Sequence, residues 1–308
     1  MIRFLLSRFI QGVIVILAVI TITFAISRMV PGGPLKSEKS ASPEAIAAKR
    51  AYLGLDRPWY VQLGMLIRNY ATLNLDQMDS FHFQGRGVDE IIASGFPVSG
   101  AVGITALAIA LALGVPAGAF AALRPNTFED RATMLAATCG ICTPSMILGP
   151  CIALLFGLKL RWFNASGWYD LSDAVLPALT LGIIYSAQIA RLTRGSLRET
   201  LAQEFVRTAR AKGASESAVV FKHALKLACL PVLNFLGPAA AGLLTGSIVV
   251  EAVFQLPGLG QFFIAAAVNK DLNLTVAISV FYATLIVCFN LLVDILQAWL
   301  NPRIRLHA

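Results

Sequence analysis

Few residues in this sequence combine a type and a spacing that would allow catalysis or metal binding. Cys139 and Cys142 form a C-x-x-C pattern inside a run of small and apolar residues. A zinc site would need a second pair of ligands, and no pair of histidines or cysteines supplies it. His82, His223 and His307 all lie outside the long apolar runs. The sequence therefore predicts packing thiols and neither a metal site nor a membrane-embedded catalytic centre.

The sequence also lacks a loop that could bind the phosphates of a nucleotide. Such a loop requires Gly-Lys followed by Ser or Thr. The 308 residues contain no Gly-Lys pair. This polypeptide is therefore not an ATPase, and any ATP-driven work would need a second polypeptide.

Two acidic residues stand in or beside apolar runs. Asp294 has Asn290 one turn earlier on the same helical face, and Glu251 precedes the sequence VFQLPGLG. An acid inside a membrane is by default a functional hypothesis, and an ion-coupled transporter would place paired acids near the bilayer centre. Both acids lie near span ends, with Asp294 within reach of lipid headgroups or Arg303. We interpret five residues as structural or gating candidates: Glu251, Pro257, Gly258, Asn290 and Asp294.

One long basic segment, EFVRTARAKGASESAVVFKHALKLACLP at residues 204–231, interrupts the apolar sequence. Residues 199–212 are good helix formers, and Leu201, Phe205 and Ala209 recur at four-residue spacing. The spacing predicts a charged helix with a narrow apolar stripe. Gly213 suits the left-handed position that closes a helix.

A second helix is expected directly after Gly213. Ser215 can cap it, and Glu216 is favourably placed in its first turn. It runs from about Glu216 towards the next apolar run, which Pro231 can enter only as a kink. On periodicity alone, this helix pair is either a basic loop on one side of a membrane or a docking element for a partner.

The composition predicts a membrane protein. The chain is 57% hydrophobic and 14% charged, whereas soluble domains carry about 25% charged residues. The net charge of +8 does not indicate nucleic-acid binding, because the basic residues flank the apolar runs. Six runs approach the length of about 20 residues that crossing a bilayer requires: Phe9–Val30, Ala101–Leu123, Ala132–Leu158, Ala174–Ala190, Leu227–Val250 and Leu274–Leu300.

The distribution of Lys and Arg predicts the orientation. With a cytoplasmic N-terminus, fourteen basic residues fall inside and three fall in the short outer loops, at Lys159, Arg161 and Lys270. Because basic residues accumulate in cytoplasmic loops, both termini are expected inside. The outer segment Pro31–Pro97, with a helical pattern around Pro43–Leu53, is expected to fold against the outer mouth.

Several long stretches resemble the permease subunits of bacterial binding-protein-dependent ABC importers. RTARAKGASESAVVFKHALKLACLPVL is similar to their cytoplasmic loop, in the form found in the peptide and nickel branch. The same branch is indicated by MVPGGP, YLGLDRP, FPVS, LPALTLGIIYSAQIARLTRGSL, GSIVVEAVFQLPGLGQ and NLLVDILQAWLNPRIR. The first permease subunits of oligopeptide importers are the most similar.

Two positions depart from the general pattern. The importer loop usually begins Glu-Ala-Ala, where this chain has Arg207, Thr208 and Ala209, the form common in the peptide branch. The terminal motif usually carries Asp before Pro, where this chain has Asn301. The first departure removes any role assigned to the Glu, and the second removes a charge near the membrane exit.

The resemblance implies an all-α membrane protein with six transmembrane helices, in the type I ABC importer permease fold. Residues 1–97 would form the first span and a periplasmic segment. Residues 98–302 would form the core, with a coupling loop at about 199–226, and residues 303–308 a cytoplasmic tail. The chain would lie in the bacterial inner membrane and would itself bind no cofactor.

The resemblance also implies partners and a cargo. A second permease subunit, two cytoplasmic ATPases that use ATP and magnesium, and a periplasmic or lipid-anchored binding protein would complete the importer. Oligopeptides are the expected cargo; dipeptides, glutathione and nickel chelates are alternatives within the family, and a secondary transporter is the alternative outside it. The LPGLGQ loop would form part of the face that receives the binding protein. The expected ATPase interface comprises Phe205, Arg207, Thr208, Ala209, Arg210, Lys212, Gly213 and Ala214.

Overall fold

The computed structural model describes residues 2–29, 56–72, 74, 78–83 and 85–300, together with residues 44 and 51. Within these ranges the ordered elements are helical, apart from one isolated bridge between Asp79 and Gly87. The prediction of an all-α protein is confirmed. Most of the helical pattern predicted for residues 43–53 lies outside the described residues, as do Asn301 and Arg303.

The described helices follow one another along the chain with short connections. They are α1 (Ile2–Met29), α2 (Trp59–Ala71), α3 (Val88–Leu123), α4 (Phe128–Cys142), α5 (Ser145–Lys159), α6 (Val175–Leu201), α7 (Glu204–Ala211), α8 (Glu216–Ala228), α9 (Leu230–Leu244), α10 (Ile248–Phe254), α11 (Leu259–Val268) and α12 (Leu272–Leu300). A 3-10 turn at Leu171–Ala174 precedes α6. The second half of α5 and the middle of α8 are wound as π-helix, at Ala153–Lys159 and Val219–Ala224.

Four of the described helices are long and apolar enough to cross a membrane. They cover Leu6–Met29, Val88–Leu123, Leu171–Leu201 and Leu272–Gln297. These ranges overlap the first, second, fourth and sixth of the predicted apolar runs. The second and fourth helices are longer than predicted, because each continues past its apolar run without a residue that would end it.

Three further helix pairs are sharply bent. The axes of α4 and α5 differ by 103°, those of α8 and α9 by 49°, and those of α10 and α11 by 103°. A straight third span over 132–158 is therefore wrong: the helix stops before Pro144, which disfavours helical backbone in the preceding residue. With four long helices and three bent pairs in the described part of the chain, six crossings remain a prediction.

The pair formed by α3 and α6 is the centre of the bundle. Gly114 and Gly118 of α3 face α6, and a methyl group on Gly114 would lie 2.6 Å from the carbonyl oxygen of Ser186. A methyl group on Gly118 would overlap the carbonyl oxygen of Ala190. The prediction that this G-x-x-x-G pattern serves close helix packing is confirmed. Pro116 lies between the two glycines, and α3 continues through it.

Candidate functional site

The basic segment between α6 and α9 folds as the two short helices α7 and α8. The single helix predicted over 199–212 is wrong, because α6 runs on to Leu201 and α7 begins at Glu204. Leu201 packs with Ala122 and Ala224, and this tertiary contact extends α6. Gln203 then takes an extended backbone conformation, which separates the two helices.

The buried face of α7 differs from the predicted stripe. Val206 is fully buried, whereas the Phe205 side chain is 40% exposed. Ala209 is half-buried. Val206 anchors α7 but was not among the residues predicted for this site. Its position three residues before Ala209, on the same side of a helix, was the signal for it in the sequence.

Gly213 closes α7 with a tight turn. Its φ of +83° lies in the left-handed region, where side chains other than glycine are strained. The N–H of Ala214 donates to the carbonyl of Ala209 at 3.2 Å, and the N–H of Gly213 donates to that of Arg210 at 2.9 Å. These two hydrogen bonds define a Schellman ending. The predicted helix end at Gly213 is confirmed.

The charges of α7 form exposed ion pairs within the segment. Arg207 pairs with Glu204 at 3.0 Å, and Arg210 donates two hydrogen bonds to Glu216 at 2.7 and 3.0 Å. The Glu216 carboxylate raises the pKa of Arg210. The second pair holds the start of α8 against the end of α7. Exposed ion pairs contribute little to stability, so a partner could displace them at little cost.

α8 begins as predicted and is anchored in the bundle. The Ser215 hydroxyl accepts from the N–H of Ala218 at 3.4 Å, which confirms the predicted cap. On the opposite side, Phe221 is 73% exposed. Phe221 was not predicted, because it stands between apolar and basic residues with no periodic partner. The buried side chains of α8 are Val219, Val220, Ala224 and Ala228.

The residues predicted for this site are brought together on one surface. Arg207, Thr208, Lys212 and Gly213 are exposed, and Ala214 is half-buried. With Phe205 and Phe221 they form a surface that combines two exposed aromatic rings with basic side chains and a close-approach glycine. We call this surface, residues 204–222, the α7–α8 surface.

The second group of predicted residues, around Glu251, is a buried structural knot. Glu251 is 1% exposed and accepts a hydrogen bond from the Ser99 hydroxyl at 2.6 Å. The same hydroxyl accepts from the N–H of Leu259 at 2.9 Å, and the N–H of Gln261 donates to Glu251 at 3.3 Å. Glu251 and Ser99 thus cap the first turn of α11 and join it to α3. A structural role for Glu251 fits this geometry better than contact with a transported solute.

Glycines surround the Glu251 carboxylate. A methyl group on Gly258 would lie 2.5 Å from its Cδ, and one on Gly260 would lie 2.8 Å from Oε2. A methyl group on Gly246 would overlap Oε1. Pro257 and Gly258 lie in the short connection between α10 and α11. The glycines of the LPGLG sequence are therefore needed for the carboxylate to fit.

Asp294 and Asn290 lie at separate helix contacts. Asp294 pairs with Arg8 of α1 at 3.0 Å, and its side chain is 19% exposed. This partner corrects the expectation that Asp294 would reach headgroups or Arg303. Asn290 faces α9, where a methyl group on Gly237 would lie 2.7 Å from its Oδ1. Both residues join α12 to neighbouring helices.

The sequence is similar to known families and proteins along its whole length. Residues 114–306 match the family described as binding-protein-dependent transport system inner membrane component, and residues 1–78 match the corresponding N-terminal family. The oligopeptide transport system permease protein OppB of Haemophilus influenzae is 40% identical over 99% of this chain and 100% of its own length. OppB of Salmonella typhimurium is 38% identical over the same shares.

Two further comparisons extend the similarity. The dipeptide transport system permease protein DppB of Bacillus subtilis is 36% identical over 100% of this chain and 99% of its own length. Among solved structures, an inward-facing form of the MetNI methionine ABC transporter superposes with a TM-score of 0.58 and 17% identity. That superposition covers 68% of this chain and 96% of the other, and it shows a shared fold.

Proposed function

Because this chain belongs to the family of binding-protein-dependent transport system inner membrane components, we propose that it is the permease subunit of an ATP-driven importer of oligopeptides. The observation that carries this proposal is 40% identity over the full length of a relative named an oligopeptide permease. Dipeptides are the second candidate cargo, because the dipeptide permease of Bacillus subtilis is 36% identical over the same extent.

The α7–α8 surface is proposed as the site that couples the permease to an ATPase. Phe205 and Phe221 expose apolar rings that a groove on a partner could bury. The guanidinium groups of Arg207 and Arg210 can form bidentate pairs with carboxylates at the rim of such a groove. Gly213 allows the partner backbone to approach closely, since no atom lies within 4 Å of the position its Cβ would take.

The remaining parts of the proposal follow from the family. Two ATPase subunits would use ATP and magnesium, since this chain has no Gly-Lys pair for a phosphate loop. A second permease subunit would complete the pathway, and a binding protein would deliver the peptide on the opposite face. The chain would lie in the bacterial inner membrane among lipid, with its N- and C-termini in the cytoplasm.

Substitutions of Gly213 test the coupling site and the function together. Gly213→Trp adds a large side chain on the proposed docking face, whereas Gly213→Asn adds a small one that tolerates left-handed backbone. We expect Gly213→Trp to abolish both ATP-driven uptake of a labelled oligopeptide and co-purification of the ATPases. Gly213→Asn is the matched control and should retain both.

The parent complex provides the reference in the same assay. An excess of unlabelled oligopeptide should compete with the labelled peptide more strongly than an excess of dipeptide. Uptake by this chain without any ATPase would contradict the proposed function. Normal uptake by a Gly213→Trp complex would contradict the placement of the coupling site.

A further inference from the structure

The ion pair between Asp130 and Arg194 lies outside the coupling site and joins two other helices. Asp130 is 1% exposed in the first turn of α4, and Arg194 lies on α6. We propose that this pair is a positioning element that makes α4 move with α6, and thereby relays movement of the α7–α8 surface to the far side of the bundle. The inference rests on the proposed function.

The geometry of the pair is that of a rigid link. Arg194 donates from Nε to Oδ1 of Asp130 at 2.5 Å and from one terminal nitrogen to Oδ2 at 2.8 Å. The N–H of Asn126 donates to Oδ2 at 2.9 Å. A carboxylate held by a planar guanidinium fork at two points has little freedom to rotate. Separation of α4 from α6 would leave a buried charge without its partner, which is strongly unfavourable.

The same part of α6 is attached to the α7–α8 surface. The Ser196 hydroxyl donates to the carbonyl of Ala228, the last residue of α8, at 2.6 Å. Leu197 is fully buried and packs in one cluster with Ala224 and Ala228. Arg194 and Leu197 are three residues apart and therefore lie on one side of the helix. A displacement of α8 consequently enters α6 next to Arg194.

On the other side of the link, α4 leads to the elbow formed by α10 and α11. The bend of 103° at Pro144 turns α4 into α5. Ile152 of α5 belongs to the same buried cluster as Val250 and Phe254 of α10. Because packed interiors transmit displacement rather than absorb it, movement of α4 reaches the Glu251 elbow at the opposite end from the α7–α8 surface.

Substitutions of the pair can separate coupling from folding. Arg194→Ala and Asp130→Asn each break the link, and Arg194→Lys keeps the charge but loses the fork. The double variant Asp130→Arg with Arg194→Asp restores an ion pair with reversed polarity. Arg124→Ala is the matched control, because it breaks the nearby ion pair with Glu129, whose side chains are 54% and 43% exposed.

The measurement is peptide uptake and ATP hydrolysis by the same purified, reconstituted complex, expressed per assembled complex. We expect the two link-breaking variants to lose uptake by about tenfold, within the usual range of coupling between sites, while ATP hydrolysis continues. Arg194→Lys should fall between them and the parent, the reversed pair should recover part of the uptake, and Arg124→Ala should match the parent.

Three outcomes would overturn the inference. Parent-like uptake by both link-breaking variants would show that the pair carries no movement. A parallel loss of uptake and ATP hydrolysis, or a loss of assembled complex alone, would show a contribution to folding only. If the parent complex itself takes up no peptide with ATP, the proposed function fails, which is distinguishable because no variant is then involved.

Discussion

At the scale of the residue, Glu251 shows how one buried carboxylate determines the residues around it. The carboxylate and the Ser99 hydroxyl satisfy the first N–H groups of α11, which would otherwise be buried without acceptors. Helix ends leave such groups unpaired unless a side chain caps them. The caps come here from two other helices, so Glu251 fixes the position of α11 as well as its first turn.

The role of Glu251 predicts a loss of stability in its variants. Glu251→Ala removes the acceptor for Ser99 and Gln261 and should lower the free energy of unfolding by about 1–3 kcal/mol. Glu251→Gln keeps the size and one acceptor and should lose less. The measurement is thermal unfolding of the purified subunit in detergent. Glu90→Ala is the control, because the Glu90 side chain is 61% exposed; equal unfolding temperatures for all four proteins would exclude the capping role.

Gly213 and Val206 show two kinds of residue-scale requirement in the coupling segment. Gly213 is required by its backbone conformation, since φ is +83° and its surroundings are open. Val206 is required by burial, since it is fully inaccessible at the base of α7. The first requirement is local and was visible in the sequence, whereas the second depends on the helices against which α7 packs.

At the scale of the element, the contact between α3 and α6 depends on glycine. Gly114, Gly118 and Gly182 each face backbone or a branched side chain of the opposite helix. Glycine in a helix interior is intrinsically unfavourable, but it lets two backbones approach closely in a membrane bundle. The same substitution should therefore have opposite effects at glycines inside and outside this contact.

Gly118→Ala and Gly195→Ala test that contrast. A methyl group on Gly118 would overlap the Ala190 carbonyl, and overpacking of this kind costs about 1–3 kcal/mol. Gly195 lies on α6 with no atom within 4 Å of its Cβ position, so alanine there should stabilise the helix by about 1 kcal/mol. Unfolding temperatures of the two variants in detergent should move in opposite directions. A shift of the same sign and size in both would contradict the close contact.

At the scale of the whole molecule, the exposed surface indicates a lipid environment. Only 17% of the most apolar window of α1 is buried within the chain, and that helix exposes large apolar residues along its length. Helices with apolar side chains all round are typical of membrane spans. The basic α7–α8 surface and the elbow of α10 and α11 then lie at different ends of the spans, as the proposed coupling requires.

The orientation in the membrane is open to direct measurement. In a cysteine-free background, Lys212→Cys should be protected from a membrane-impermeant maleimide in intact spheroplasts, and Lys159→Cys should be labelled. Both side chains are exposed in the folded chain, so protection would reflect the membrane and not burial. After permeabilisation both should react. Labelling of Lys212→Cys in sealed spheroplasts would reverse the predicted topology and remove the coupling site from the cytoplasm.

Features that depend on near neighbours along the chain could be predicted from the amino-acid order. Composition and apolar runs predicted a helical membrane protein, and the Gly213 turn and the Ser215 cap were predicted because glycine conformation and capping act within a few residues. The position of the bend at Pro144 was visible for the same reason. The angle of 103° was not, because it depends on what α5 packs against.

Which distant residues meet depends on the three-dimensional packing of the helices. The partners Asp130 and Arg194 are 64 residues apart, Ser99 and Glu251 are 152 apart, and Arg8 and Asp294 are 286 apart. Each of these side chains could form a pair with several others of suitable chemistry, and periodicity does not choose among them. The choice is made by close packing of the helices, which brings one partner within hydrogen-bond distance and excludes water and every other candidate.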